Sequence, residues 1–166
     1  MSSAEEILGV FMLSQTATST YPGGGSWYSA LWRTMIGDLV MTEFPIERAR
    51  TTHEADFKML WRKLSRQEGG MHSNILFESL CGMTPNHAFF ITKMGYMGIG
   101  PPHMAPGDQV WFLYGGKVPF IMRKTESQNV NDGRHKLHIV GDAYVHGVMD
   151  GEAVADGHQA HNIWIY

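Results

Sequence analysis

The apolar residues in the first half of the chain recur every three or four positions, which is the spacing of an amphipathic helix. Two predicted helices begin at a capping box, formed by Ser3 with Glu6 and by Thr51 with Glu54, and another begins at the N-cap residue Ser26. The pattern predicts helices over 3–14, 26–39, 51 to the glycine pair at 69–70, and 73–80, the last capped by Gly82.

From His87 onward the apolar period changes to two, which indicates β-strands. Gly115 and Gly116 separate two alternating runs and predict a central hairpin, and the polar segment 125–133 predicts an exposed loop. The predicted strands are 87–92, 96–99, 109–114, 118–123, 135–146 and 161–166. The sequence therefore predicts an α+β fold in which N-terminal helices (1–85) pack on a small, mostly antiparallel β-barrel (86–166) within one domain, 1–166.

The predicted strand 135–146 has one apolar and one polar face. Its odd positions, such as Leu137 and Val145, are apolar, and its even positions include Asp142, Tyr144 and His146. The polar face either meets solvent, as is usual in antiparallel sheets, or lines a cavity. In the second case Tyr144 and His146 would offer hydrogen bonds to a bound carbonyl group.

Composition narrows the class of protein. The 166 residues contain 13 Lys and Arg against 16 Asp and Glu, with no basic stripe, so nucleic acid is not an expected partner. Cys81 is the single cysteine, which excludes an intrachain disulfide and is typical of a reducing compartment. The acidic N-terminus and the short apolar run 7–13 predict neither a secretory signal nor a membrane span, so we expect a cytoplasmic protein.

No cofactor or metal motif is present in the sequence. The glycines at 95, 98 and 100 have the reverse order of a dinucleotide fingerprint, and Pro101 follows where the phosphate-binding helix would begin. His135 and His138 are three residues apart in a predicted strand, so their side chains would point to opposite faces. We therefore expect no cofactor and no metal, and we interpret Cys81 as a core residue.

Several motifs, in a fixed order, resemble the C-terminal region of fungal heterokaryon-incompatibility (HET domain) proteins. They are Leu-Trp-Arg-Thr at 31–34, Ile-Gly-Asp at 36–38, Gly-Tyr-Met-Gly-Ile-Gly-Pro at 95–101, Pro-Gly-Asp at 106–108, Gly-Gly-Lys-Val-Pro-Phe at 115–120 with Arg123, and Val-Gly-Asp-Ala-Tyr-Val-His-Gly-Val-Met-Asp-Gly-Glu-Ala at 140–153. The family usually has Glu at the position of Asp142 and often Cys at Ala143. The sequence shows no N-terminal HET domain, to which the cell-death response is linked in the family, and the resemblance carries over no catalytic residues.

Two functions fit these observations. In the first, the chain is an enzyme of fungal natural-product biosynthesis, similar in size and kind to small terpenoid cyclases such as the norbornene-forming type of sordarin biosynthesis. It would fold a hydrophobic substrate for an intramolecular Diels–Alder reaction, which needs no cofactor, metal or nucleophile. The predicted catalytic residues are Tyr144, His146 and Arg123. The predicted substrate-binding residues are Trp111, Tyr114, Phe120, Met122, Tyr96 and Arg33.

The second function is a non-catalytic interaction or regulatory module that binds a partner protein through an exposed apolar patch. A closed pocket of roughly 300 Å³ or more would favour the enzyme, whereas a filled barrel with a flat apolar patch would favour this alternative. Arg33 and Arg123 each need a carboxylate partner, which Asp38, Asp142, Glu152 or the acid group of a ligand could supply. A homodimer is left open.

Overall fold

The computed structural model describes residues 20–42, 44–125, 135–155, 160 and 163–165. The helix predicted over 3–14 and most of the loop predicted over 125–133 lie outside the described residues. The helices are α1 (Trp27–Met35), α2 (Glu54–Ser65), α3 (Phe77–Met83) and α4 (Glu152–Ala155), with 3-10 turns at Thr51–His53 and Met71–Ser73.

Helix α1 begins where the sequence predicts and ends earlier. The side-chain oxygen of Ser26 accepts a hydrogen bond of 3.0 Å from the N–H of Ser29, so Ser26 is the N-cap. The helix stops at Met35, not at position 39, because Gly37 and Asp38 both have positive φ angles, 61° and 58°. The prediction of Gly82 as a C-cap was wrong, since Gly82 lies inside α3.

The strands form three separate sheets. The sheets are β1 (Leu39–Val40) with β2 (Glu47–Arg48); β3 (Ala88–Ile91), β4 (Met97–Gly100) and β8 (Tyr144–Val145); and β5 (Gln109–Trp111), β6 (Phe120–Lys124), β7 (His135–Asp142) and β9 (Ile163–Ile165). The β7–β9 pair is parallel and the other pairs are antiparallel.

The described strands do not form the closed barrel that the sequence predicts. The predicted strand 135–146 is divided at Ala143, whose N–H donates a 2.9 Å hydrogen bond to the carbonyl of Pro119. On one side of this break β7 pairs with β6, and on the other side β8 pairs with β4. The chain therefore crosses from one sheet to the next at this residue, and strands as short as β8 cannot supply the stagger that barrel closure needs.

A β-bulge changes the predicted faces of β7. Ile121 pairs with Gly141 but Met122 pairs with Ile139, so Val140 is the extra residue. Val140 consequently packs on the buried side, while Ile139 is 37% exposed. The apolar face is confirmed at Leu137, Ala143 and Val145, which are buried.

The buried side chains form a large helical cluster and a smaller strand cluster. The helical cluster consists of Tyr21, Tyr28, Ala30, Leu31, Trp32, Met35, Ile36, Val40, Ala49, Phe57, Leu60, Leu76, Leu80 and Met97. The strand cluster consists of Ile121, Ala143 and Val145, with partly buried neighbours such as Val140. Tyr96 packs against both clusters and marks where they meet.

The loop before α1 is fixed against the turn after β8. The Tyr21 hydroxyl accepts a 2.7 Å hydrogen bond from the N–H of Met97 and donates a 3.1 Å hydrogen bond to the carbonyl of His146. Beside it the backbones of Gly23 and Gly147 approach so closely that a Cβ added at Gly23 would lie 2.8 Å from the Cα of Gly147. This contact needs glycine at both positions.

Candidate functional site

A pocket of about 330 Å³ lies where the segment after α1 and strand β2 face β4 and β8. Its polar lining residues are Asp38, Arg48, His87, Asp142 and Tyr144, and its apolar lining residues are Leu39, Met83, Ile99, Val118, Ala143 and Met149, with Gly37. Concave sites of this size, mainly apolar with a few polar groups, are the usual form of a small-molecule site.

A buried ion pair holds Asp38, one of the residues that line the pocket. Arg33, in the last turn of α1, donates through Nη1 to Oδ1 of Asp38 at 2.5 Å and also hydrogen-bonds to the carbonyl of Ala49. The two side chains are 15% and 11% exposed. Because α1 ends at Met35, the chain reverses through Gly37 and brings Asp38 back under Arg33. The pair therefore fixes one wall of the pocket.

A second ion pair joins β2 to the turn after β8. Nη1 and Nη2 of Arg48 donate to the two carboxylate oxygens of Asp150 at 2.5 and 2.7 Å, a bidentate geometry. Both side chains are more than half exposed. The hydrogen bond to Asp150 raises the pKa of Arg48. Arg48 thus lines the pocket with its charge already paired.

Tyr144 and His146 form a neutral hydrogen-bonded pair at the pocket. The Tyr144 hydroxyl lies 2.8 Å from Nδ1 of His146. Burial, followed by the negative charge of Asp38, raises the pKa of Tyr144 far above its usual value. Burial lowers the pKa of His146, which outweighs the opposite effect of Asp38. Tyr144 therefore keeps its proton at neutral pH, and His146 is uncharged there.

The structure brings only part of the predicted site together. Tyr144 lines the pocket, and His146 and Arg33 are each one hydrogen bond away from a lining residue, Tyr144 and Asp38 respectively. Asp38 was one of the carboxylates predicted as a partner for Arg33.

Arg123, the remaining residue predicted to be catalytic, lies at a different place. Its Nε and Nη2 donate to the two oxygens of Asp108, each at 2.8 Å, and Nη2 also donates to the carbonyl of His103 at 3.0 Å. Asp108 was not among the predicted partners. The hydrogen bonds from Arg123 lower the pKa of Asp108, whose Oδ2 also accepts a hydrogen bond from the N–H of Ala105. Arg123 thus fixes the loop between β4 and β5.

The residues predicted to bind substrate do not line this pocket. Met122 is fully buried, and Trp111 and Phe120 are half-buried on the paired strands β5 and β6. Tyr114 is 82% exposed next to Gly115, whose φ of 83° confirms the predicted hairpin turn. Tyr96 is half-buried between the two clusters. A role for these residues in substrate binding stays a prediction.

Asp38, Arg48, Met83, His87 and Val118 line the pocket and were not predicted as site residues. The dipeptide Gly37-Asp38 after an apolar helix is a signal for a chain reversal, because both residue types tolerate positive φ. Nothing in the local sequence of Arg48 indicates that it faces Asp150, which lies far away along the chain.

Within the described part of the chain, no group of three or more His, Cys, Asp or Glu side chains could hold a metal ion. In the same residues, no helix has both the length and the apolar character needed to cross a bilayer.

This combination of helices packed on short antiparallel sheets, with a pocket between them, defines a small α+β domain. Residues 68–165 match the Het-6 beta-barrel domain, so the chain belongs to this family. It is also similar to heterokaryon incompatibility protein 6, OR allele, of Neurospora crassa, with 35% identity over 63 residues. The matched segment is 38% of this chain and 9% of that relative. No solved structure matches the chain.

The family assignment confirms the predicted relation to fungal heterokaryon-incompatibility proteins. The matched residues contribute one side of the pocket, including Met83, Ile99 and Tyr144, while Asp38 and Arg48 precede the match. The pocket is therefore built jointly by the family domain and the helical segment in front of it.

Proposed function

We propose that the pocket binds a mainly hydrocarbon small molecule and folds it for a cofactor-independent intramolecular cyclisation of the Diels–Alder type. The observation that supports this proposal is the partly open pocket of about 330 Å³ with Tyr144 in its wall. Its volume lies at the lower end of ordinary ligand sites, and six of its lining side chains are apolar.

An intramolecular Diels–Alder reaction requires little from the protein beyond a binding site of the right shape. A Diels–Alder reaction forms two carbon–carbon bonds from the π-electrons of a diene and an alkene, so no atom, proton or electron enters or leaves. Holding both partners in the reactive geometry contributes up to about 7–11 kcal/mol in favourable intramolecular systems. Apolar walls such as Leu39, Ile99 and Met149 would hold the folded hydrocarbon.

One polar contact would add to this effect. A hydrogen bond from the Tyr144 hydroxyl to a carbonyl conjugated with the alkene would withdraw electron density from that alkene and lower the barrier. Tyr144 suits this role because its raised pKa keeps the phenol protonated. The backbone of β8 pairs with β4 through Ile99, which fixes the position of the ring.

The test is a comparison of cyclisation with and without protein. The purified 166-residue chain is incubated with linear polyene precursors that carry an enal or enone, and product ratios are followed by gas chromatography with mass spectrometry. We expect a faster reaction and a changed isomer ratio. Equal rates and equal ratios in the protein-free control would refute the proposal.

A second candidate function is an interaction or regulatory module, and the family match favours it. The relative from Neurospora crassa is a heterokaryon incompatibility protein. The test is heterokaryon formation between fungal strains that do and do not express this chain. A change in compatibility that Tyr144→Phe leaves intact would favour this function over the enzyme, because it would not depend on the Tyr144 hydroxyl proposed for catalysis.

A further inference from the structure

The positive charges at the pocket already have protein partners. Arg33 is paired with Asp38, and Arg48 is paired with Asp150 through both of its terminal nitrogens. Asp142 is exposed at the pocket, and among the described residues no hydrogen bond or ion pair is recorded for its carboxylate. The surplus charge of these groups is therefore negative.

This balance disfavours a carboxylate ligand. An acid group would have to displace Asp150 from Arg48 while facing Asp38 and Asp142, and like charges at close range oppose binding. A neutral carbonyl oxygen does not have to displace Asp150, and Asp38 and Asp142 do not repel it as they would a carboxylate. The groups that remain to recognise it are Tyr144 and the histidine behind it.

The contact between Tyr144 and His146 has two possible proton arrangements. If Nδ1 of neutral His146 carries the proton, it donates to the phenolic oxygen, and the Tyr144 O–H is free to donate into the pocket. If Nδ1 is bare, the Tyr144 proton is held by His146 and only the phenolic oxygen is left for a ligand. The tautomer of His146 thus decides whether Tyr144 acts as a donor.

We propose that the pocket selects an uncharged ligand with a carbonyl oxygen, which accepts from the Tyr144 hydroxyl, and that His146 is the positioning residue that directs this hydroxyl. The inference rests on the proposed function, since it names the class of substrate for the same pocket. The charged groups around the pair are Asp38 and Arg33 at the end of α1, Arg48 on β2 and Glu152 on α4.

The ligand test uses three probes with one carbon skeleton: decalin, 2-decalone and decalin-2-carboxylate. Their binding to the full chain is measured by NMR titration. The ketone should bind about 5- to 10-fold more tightly than the hydrocarbon, which corresponds to one neutral hydrogen bond, and the carboxylate should bind most weakly. Tightest binding of the carboxylate, or no binding of any probe, would overturn the proposal.

Two variants test whether the Tyr144 hydroxyl causes the preference for the ketone. Tyr144→Phe should remove the preference for the ketone and leave the affinity for decalin unchanged. Tyr28→Phe is the matched control, since Tyr28 is a buried tyrosine of the helical cluster that does not line the pocket, and it should keep the preference. A ketone preference that persists in Tyr144→Phe would contradict the assignment of the donor.

The role of His146 is tested by its replacement and its rescue. His146→Leu should abolish the ketone preference, while His146→Asn, whose side-chain amide can still donate to the phenolic oxygen, should retain it. If His146 had only a structural role, both variants would bind 2-decalone and decalin with equally reduced affinity. Nitrogen-15 spectra of the free protein should show the proton on Nδ1, and a proton on Nε2 alone would refute the positioning role.

The two proposals can fail separately. Turnover of a linear precursor without selectivity for the ketone would refute this inference and leave the cyclase proposal standing. Selectivity for the ketone without turnover of any precursor would refute the cyclase proposal and leave this inference standing.

Discussion

The helical and the strand parts of the molecule bury very different amounts of apolar side chain. Among the described residues the helical cluster holds fourteen buried side chains, including Trp32 and Phe57, whereas the strand cluster holds Ile121, Ala143 and Val145. Close-packed interiors leave few voids larger than a water molecule. The larger cluster therefore contributes more of the stabilising apolar burial, and the pocket lies between the segment that follows α1 and strands β4 and β8.

The largest expected effect comes from equal truncations on the two sides. Leu60 on α2 belongs to the helical cluster, and Leu137 on β7 is equally buried but belongs to neither cluster. Leu60→Ala should lower the free energy of unfolding by about 4 kcal/mol and Leu137→Ala by about 2 kcal/mol, because Leu60 loses contacts within the cluster of fourteen buried side chains whereas Leu137 belongs to neither cluster. Urea unfolding measures both, and equal losses would show that the two sides contribute alike.

The next effect compares two of the arginine–aspartate pairs, Arg33–Asp38 and Arg123–Asp108. Arg33→Leu would leave the carboxylate of Asp38 buried and unpaired, and we expect a loss of about 3 kcal/mol in the free energy of unfolding. Arg123→Leu is the matched variant on the strand side. Asp108 is only 7% exposed, but the loss should be smaller because Arg123 is 43% exposed and Asp108 keeps its hydrogen bond from Ala105. A larger loss in Arg123→Leu would reverse the comparison.

The smallest effect concerns pH and the border between the two sides. Because burial lowers the pKa of His146, the unfolded chain binds this proton at a higher pH than the folded chain does. Stability should therefore be complete above the ordinary pKa of about 6.5 and decrease as the pH falls towards the lower folded value. Urea unfolding at pH 7.5 and 5.5 measures the decrease.

His146→Asn should flatten this dependence on pH. His72→Asn, at an exposed histidine that packs on Phe77, is the control and should behave like the unsubstituted chain. An unchanged slope in His146→Asn would show that the decrease has another origin.

The local features of the fold could be predicted from the sequence, and the pairing of strands could not. Ser26 caps α1 and each predicted strand from 87 onward overlaps an observed one, because capping and the period of two depend on neighbouring residues. The prediction of a closed barrel was wrong, because barrel closure depends on which strands pair with each other. Strand β4 pairs with β8, which is distant in sequence, and the break at Ala143 carries the chain into that sheet.

In the candidate site, too, the features that depend on local sequence could be predicted, and those that depend on tertiary contacts could not. Tyr144 was identified because it stands on the polar face of an alternating segment, and it lines the pocket. Asp38 and Arg48 were missed because their positions depend on the early end of α1 and on a pairing with Asp150. Arg123 was assigned to the same site, yet its partner Asp108 comes from the loop before β5. Residue type indicated the chemistry, whereas the distribution of ion pairs required the tertiary structure.

The paired glycines at 23 and 147 make the pocket sensitive to a position outside it. Gly147 directly follows His146, and its Cα would lie 2.8 Å from a methyl group added at Gly23. The methyl group of a Gly23→Ala variant would clash with this backbone and displace His146 from the loop that precedes α1, although no polar side chain is altered. Two loops near opposite ends of the described chain therefore tolerate no side chain at this contact, so the position of the His146 backbone depends on both.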